Sequence, residues 1–127
     1  MTFLFELEGK LPGLNDIINS RARHWSIYAK QKKEWTAKII EAVSENGSFS
    51  NDGGPIALFI IWGIRTNADL DNCTAKFILD AMVEMGLIED DNCKFVKKIT
   101  HEVQISKTSF VKVYVDNYLP SNLVAVQ

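Results

Sequence analysis

Apolar and polar side chains alternate at the start of the chain, with Phe3, Phe5 and Leu7 on one side and Leu4 and Glu6 on the other, which predicts a strand over Thr2–Leu7. Pro12 and Gly13 break that pattern, and the stretch to Arg23 has no firm period, so it reads as an ordered loop. From Ser26, taken as an N-cap, Tyr28, Trp35, Ile39, Ala42 and Val43 recur at helical spacing until Asn46-Gly47 stops them. Ser48–Gly54 is small and polar, a surface loop. Pro55–Ile64 is almost continuously apolar and rich in β-branched residues, the signature of a central strand covered on both sides.

Beyond Arg65-Thr66-Asn67, a second helix is predicted from Lys76 to Met85, with Phe77, Ile78, Ala81, Met82 and Met85 in phase and Gly86 as its C-terminal stop. Leu79 and Val83 form another apolar stripe on this helix, an expected contact for a partner. Glu89–Asn92 is a polar turn. Phe95–Val103 and Thr108–Val115 read as strands joined by a hairpin turn at Lys107, and residues 117–127 as a loose tail. With no linker and no repeat, residues 1–127 form a single α+β domain, a small mixed sheet with two main helices.

The composition, 46% hydrophobic and 24% charged over 127 residues, agrees with one ordinary soluble domain and with neither a disordered nor a fibrous chain. No apolar run approaches the length of a membrane span, so no membrane association is expected. Met1–Gly9 carries Glu6 and Glu8 and lacks a basic start, which argues against a secretory signal and for a cytoplasmic location. Cys73 and Cys93 lack metal or disulfide spacing and read as free thiols; His24 and His101 are isolated and are assigned to no metal. No phosphate-binding glycine loop, dinucleotide fingerprint or serine-hydrolase elbow is present, so no nucleotide cofactor is expected.

The net charge of -2 hides a strong separation along the chain. Arg21, Arg23, Lys30, Lys32, Lys33 and Lys38 stand against Glu34 alone, a local balance of +5, and are a candidate polyanion surface. His24, Trp25 and Tyr28 lie among them and could stack on unpaired bases, although Tyr28 and Trp35 read more readily as core. Residues 65–91 then carry seven acids against Arg65 and Lys76, a balance of -5. An acidic patch repels phosphate unless cations intervene, so acid flanked by base suits a metal-dependent phosphodiester enzyme.

Within the acidic stretch, Asp69 and Asp71 project from one face if the chain is extended there. Two such carboxylates call for a cation, and a hard ion such as Mg²⁺ favours their oxygens while keeping positions for water and phosphate. Asp91 can bring a third carboxylate if the strand that follows it lies beside the first. The plain alternative is an Asx turn at Asp71 or Asn72 and a solvated acidic turn at Glu89–Asp91. A calcium loop built on Asp69, Asp71 and Asp80 fails, because Thr74 stands where the sharp turn needs glycine. Lys76 is placed either to stabilise a phosphate in the transition state or to pair with Asp80 one helical turn on.

The set Asp69-Leu70-Asp71-Asn72, Lys76-Phe77-Ile78-Leu79-Asp80-Ala81-Met82 and Glu89-Asp90-Asp91-Asn92 resembles the RusA family of Holliday junction resolvases. Weaker agreement runs upstream to Pro12 and Asn15 and downstream to Val111–Val115. The resemblance implies a RusA-like homodimer that binds four-way DNA junctions and nicks opposing strands with Mg²⁺ or Mn²⁺. It further implies that Asp69, Asp71 and Asp91 are metal-binding and catalytic acids, that Lys76 is the catalytic lysine, and that Asp90 is an adjacent acid at the metal. One departure is Cys73-Thr74-Ala75 between Asn72 and Lys76, one residue more than the family spacing. Either that residue is absorbed before the helix, or Lys76 does not occupy the expected place.

The expected activity is therefore a structure-selective endodeoxyribonuclease of DNA recombination and repair, in which a metal-activated water attacks phosphorus in line. Arg21, Arg23, Lys30, Lys32 and Lys33 would hold the DNA arms by their phosphates. The competing reading is a non-catalytic module on the same fold that binds DNA structures or a replication partner. A phosphatase for small substrates is a third, which the basic segment argues against.

Overall fold

The computed structural model describes residues 1–46, 49–65 and 69–119. Strand β1 (Thr2–Glu8) leads through a turn at Gly9 into helices α1 (Leu14–Arg23) and α2 (Trp25–Asn46). Strand β2 (Ile56–Ile64) is followed by a single 3-10 turn at Leu70–Asn72, helix α3 (Lys76–Glu84), strand β3 (Val96–Ile105) and strand β4 (Phe110–Asn117). Among the described residues these form a mixed α+β fold with one four-stranded sheet in the order β1-β4-β2-β3.

Strand β2 is central, as its apolar run predicts, pairing parallel with β3 and antiparallel with β4. Among the described residues it is covered on one face only. Ile56, Leu58, Ile60 and Trp62 are buried under the helices, whereas Ala57, Phe59 and Ile61 on the other face are half-buried. Phe59, Tyr114 and Phe3 cluster on that second face. Aliphatic and aromatic bulk there reflects cross-strand aromatic packing, which a sequence reader takes for a second covering layer.

Three expectations are corrected. The stretch before Arg23 is a ten-residue helix, α1, rather than a loop; its apolar stripe is only Leu14, Ile17 and Ile18, and of these Ile17 alone is buried. Helix α2 starts at Trp25, inside the position assigned to an N-cap, and the Ser26 hydroxyl meets His24 Nδ1 at 2.6 Å. The strands at the C-terminal end do form, but β3 and β4 are not a hairpin, because β2 lies between them. The connection crosses the end of β2, where the Ser106 N–H donates to the Ile64 carbonyl. A strand as apolar as β2 is most stable with neighbours on both edges, and that demand outweighs simple hairpin pairing.

The expected tail begins later than predicted, since β4 continues to Asn117 and the described chain to Leu119; the remainder of the tail, Gly47-Ser48 and Thr66-Asn67 lie outside the described residues. Helix α3 buries Phe77, Ile78, Leu79, Ala81 and Met82 in the chain's own core, and Val83 packs against it. Leu79 is thus already covered without a partner, contrary to the expectation for the second stripe. No helix among the described residues is long and apolar enough to cross a membrane.

Candidate functional site

Asp69 is extended (φ -87°, ψ 124°) and stands just ahead of the 3-10 turn that contains Asp71 and Asn72. The extended geometry that would align the two carboxylates is therefore absent. In a 3-10 turn each residue advances by about 120°, so side chains two apart diverge. Asp69 lines a cleft of about 170 Å³ with Lys10, Gly13, Asn15, Asn72, Gly63 and Phe110, among others. Asp71 is exposed outside it, close enough to Cys73 for its charge to act on the thiol. Burial raises the Cys73 pKa most, Lys10 opposes that shift, and Asp71 adds to it.

Asn72 fastens this turn to the beginning of α1. Its Oδ1 accepts the backbone N–H of Asn15 at 2.9 Å, while the Gly13 N–H donates to Asp16 Oδ2 at 3.0 Å. Gly13 is glycine for a steric reason: a Cβ there would collide with the Asn72 side chain. Gly63 has a similar basis, since the Phe110 ring of the paired strand occupies the space over it. Two glycines and an asparagine thus shape the cleft, and none stands out by residue type alone.

Cys73-Thr74-Ala75 lie ahead of the helix. Cys73 is extended, the Lys76 N–H reaches Thr74 Oγ1 at 3.2 Å, and α3 starts at Lys76 with its register intact. Lys76 and Asp80 therefore stay one turn apart, with Lys76 Nζ 3.7 Å from Asp80 Oδ2. Lys32 of α2 approaches the same oxygen at 3.8 Å. Both distances are too long for a hydrogen bond, so buried Asp80 Oδ2 lacks a direct donor and its charge is offset only across a gap. Lys76 borders the groove between α2 and α3, not the cleft that holds Asp69.

The basic residues divide in the same way. Arg21, Lys32 and Lys33 line the α2–α3 groove with Lys76. Arg23 borders a separate depression with Lys10 and Asp16, and Lys30 is exposed beside neither. Trp25 and Tyr28 differ sharply: Trp25 is 64% exposed, whereas Tyr28 is 2% exposed and joins the core as expected.

Asp90 and Asp91 lie at the other end of the sheet. β2 and β3 run parallel, with Ile56 opposite Val96 and Ile64 opposite Ile105. Asp69 and Asp71 follow the C-terminal end of β2, but Asp91 precedes the N-terminal end of β3, a separation along the strands of roughly 26 Å at about 3.3 Å per residue. Adjacency of the strands, on which the three-acid expectation rested, is realised; their polarity sends the acids apart. Locally Asp90 serves its own turn, accepting from the Asp91 N–H at 2.7 Å and from Asn92 Nδ2 at 3.1 Å. Among the described residues no group of three or more acidic, histidine or cysteine side chains is arranged to hold a metal ion. The convergence of Asp69, Asp71 and Asp91 within one chain is thus corrected. Asp69 in the cleft and Asp71 outside it are hard oxygen donors of the kind Mg²⁺ takes, but their side chains diverge, so this turn alone does not bring both onto one ion.

Cys73 and Cys93 are free thiols. His101 receives the Trp62 indole N–H on Nδ1 at 2.9 Å and stacks on that ring, a structural role. Comparison of the chain with models of known protein families, with characterised proteins and with solved structures gave no match.

Proposed function

We propose that the chain is a RusA-like, structure-selective endodeoxyribonuclease that cuts four-way DNA junctions with Mg²⁺ or Mn²⁺ and works as a homodimer in the cytoplasm. The observation that carries this reading is the fixed junction between acid and base. Asn72 ties the Asp69–Asp71 turn to the first helix of the basic segment, and α3 leads from that turn directly to the Lys76–Lys32 face. Substrate phosphates would lie along Arg21, Lys32 and Lys33, with Lys76 offsetting negative charge near the scissile group. Asp69 would hold the divalent ion from the cleft and Asp71 would join it on reorientation of its exposed turn; the ion would supply water activation and charge neutralisation when bound.

Asp91 enters this reading through the partner. Among the described residues strand β3 pairs on one side only, leaving a ten-residue edge with exposed Ile99 and Ile105. An open edge of this length is a template for pairing with another chain. Two-fold antiparallel pairing there would set the start of one β3 beside the end of the other, and so direct the partner's Asp91 toward Asp69 and Asp71. A register centred on Thr100 would also oppose Lys98 to the partner's Glu102, a favourable cross-strand pair.

The test is incubation of a synthetic four-way junction with protein and Mg²⁺ or Mn²⁺, with and without chelator. Paired nicks that vanish with chelator are expected, and Asp71→Asn should abolish them while junction binding survives. Binding without nicks under every metal condition would leave the non-catalytic module as the correct reading.

A further inference from the structure

The groove between α2 and α3 contains one large side chain that the core does not use. Trp25, the first residue of α2, is 64% exposed, yet it is held in place. Its ring lies 5.4 Å from that of Tyr28, and Tyr28 is anchored by stacking on Phe77 at 6.2 Å inside the core. The Arg21 guanidinium sits 4.5 Å from the Tyr28 ring centre and 5.9 Å from that of Trp25. A rigid indole presented to solvent beside a stacked guanidinium is an aromatic platform with a cation already at its edge.

The remaining lining fits the same ligand. Lys32, Lys33 and Lys76 add three ammonium groups to Arg21 around a space of about 750 Å³, against Glu41 and Glu84 in the lining and Asp80 beside Lys32 and Lys76. That volume lies within the usual range for small-molecule sites. Thr36, 5% exposed, also lines the groove, and its hydroxyl has no hydrogen-bond partner. An isolated π-face among cations matches a nucleic-acid strand, in which every base offers a face and every link a negative charge.

We propose that this groove takes one unpaired nucleotide of a DNA strand, its base stacked on Trp25 and its flanking phosphates held by Arg21, Lys32 and Lys33. The choice of DNA rests on the function proposed above; the stacking itself requires neither metal nor cleavage. In a junction enzyme such a platform would capture a base released where the strands exchange, and so select for branched DNA over plain duplex.

The experiment is anisotropy titration of a labelled oligothymidylate and of a labelled four-way junction in chelator-containing buffer, with wild type, Trp25→Phe, Trp25→Leu and Lys33→Ala. Trp25→Leu should weaken oligothymidylate binding at least about fivefold, the change expected from losing about 1 kcal/mol of stacking. Trp25→Phe should keep most of the affinity. Lys33→Ala should flatten the salt dependence while Trp25→Leu leaves it unchanged. Unchanged melting temperature is expected for the Trp25 variants because the side chain is exposed. Equal affinity of Trp25→Leu and wild type for both probes would overturn the proposal, even if junction cleavage were intact; so would loss of self-association in Trp25→Leu with strand binding unaltered. Trp25-dependent binding by a protein that never cleaves would instead uphold the platform and remove the nuclease.

Discussion

Asn72 Oδ1 accepts the backbone N–H of Asn15 at 2.9 Å across 57 positions of sequence, and this bond fixes the acidic turn against the start of the basic helices. The approach is close enough that Gly13 has no room for a side chain, although its own backbone (φ -79°, ψ 175°) would suit any residue. Gly13→Ala should therefore act through the Asn72 collision alone, lowering stability by about 1–3 kcal/mol and reducing junction cleavage by more than that loss explains. Thermal melts and single-turnover cleavage at a temperature where both proteins are folded check this. Full activity in Gly13→Ala would mean that the tie does not position the acids.

Gly63 and Phe110 make a second steric pair, this time across β2 and β4. Gly63→Ala is expected to destabilise the protein by about 1–3 kcal/mol by displacing the ring. Placed on a Phe110→Ala background, the same substitution should cost much less, because the obstructing ring is gone. A double-mutant cycle by denaturant unfolding reads that coupling directly, and additive effects would refute it.

Much of this architecture is legible in the sequence, and the failures share a cause. The apolar run of β2, the α2 stripe and the α3 stripe each signal an element through burial, so each is found. Helix α1 buries only Ile17, and its brief stripe of Leu14, Ile17 and Ile18 is too short to stand out among the polar residues around it. Asp69, Asp71 and Lys76 can be singled out by residue type, but their relation to Asp91 depends on strand polarity, a property of the whole sheet. The Asn72–Asn15 bond and the Gly13 and Gly63 contacts are equally non-local. Their only trace is a Pro12-Gly13 break and an asparagine, which read locally as turn residues.

Asp80 offsets two lysines at once, so it reduces the positive charge available to DNA. Asp80→Asn should release that charge and tighten junction binding at low salt by a few-fold, with the difference fading as salt approaches about 0.3 M. Stability should change by about 1 kcal/mol or less, since both contacts are longer than hydrogen bonds and Lys32 is about half exposed and Lys76 about one-third exposed, so their attraction is partly screened. Binding isotherms at several salt concentrations test this, and weaker binding by the variant would count against the groove as a phosphate-binding surface.

His101 provides a pH-sensitive contact. Burial holds its pKa below the ordinary 6.5, and its Nδ1 must remain unprotonated to accept the Trp62 indole N–H. Below pH 6.5 the unfolded chain gains a proton that the folded chain resists, so this contribution to stability is present above pH 6.5 and is lost as pH falls through the lowered folded value. Melting temperatures compared at about pH 7.5 and about pH 5.5 should show a drop that His101→Gln reduces. An identical drop in the variant would assign the pH dependence elsewhere.

Mixed dimers answer most directly whether a second copy completes the acid cluster. Asp71→Asn and Asp91→Asn are each expected to be inactive alone on a four-way junction with Mg²⁺. After unfolding and refolding them together, a dimer containing one of each has one site that retains both Asp71 and the other chain's Asp91. The mixture should therefore regain nicking of one strand per junction. A mixture as inactive as its components, beside an active wild type, would contradict the shared site.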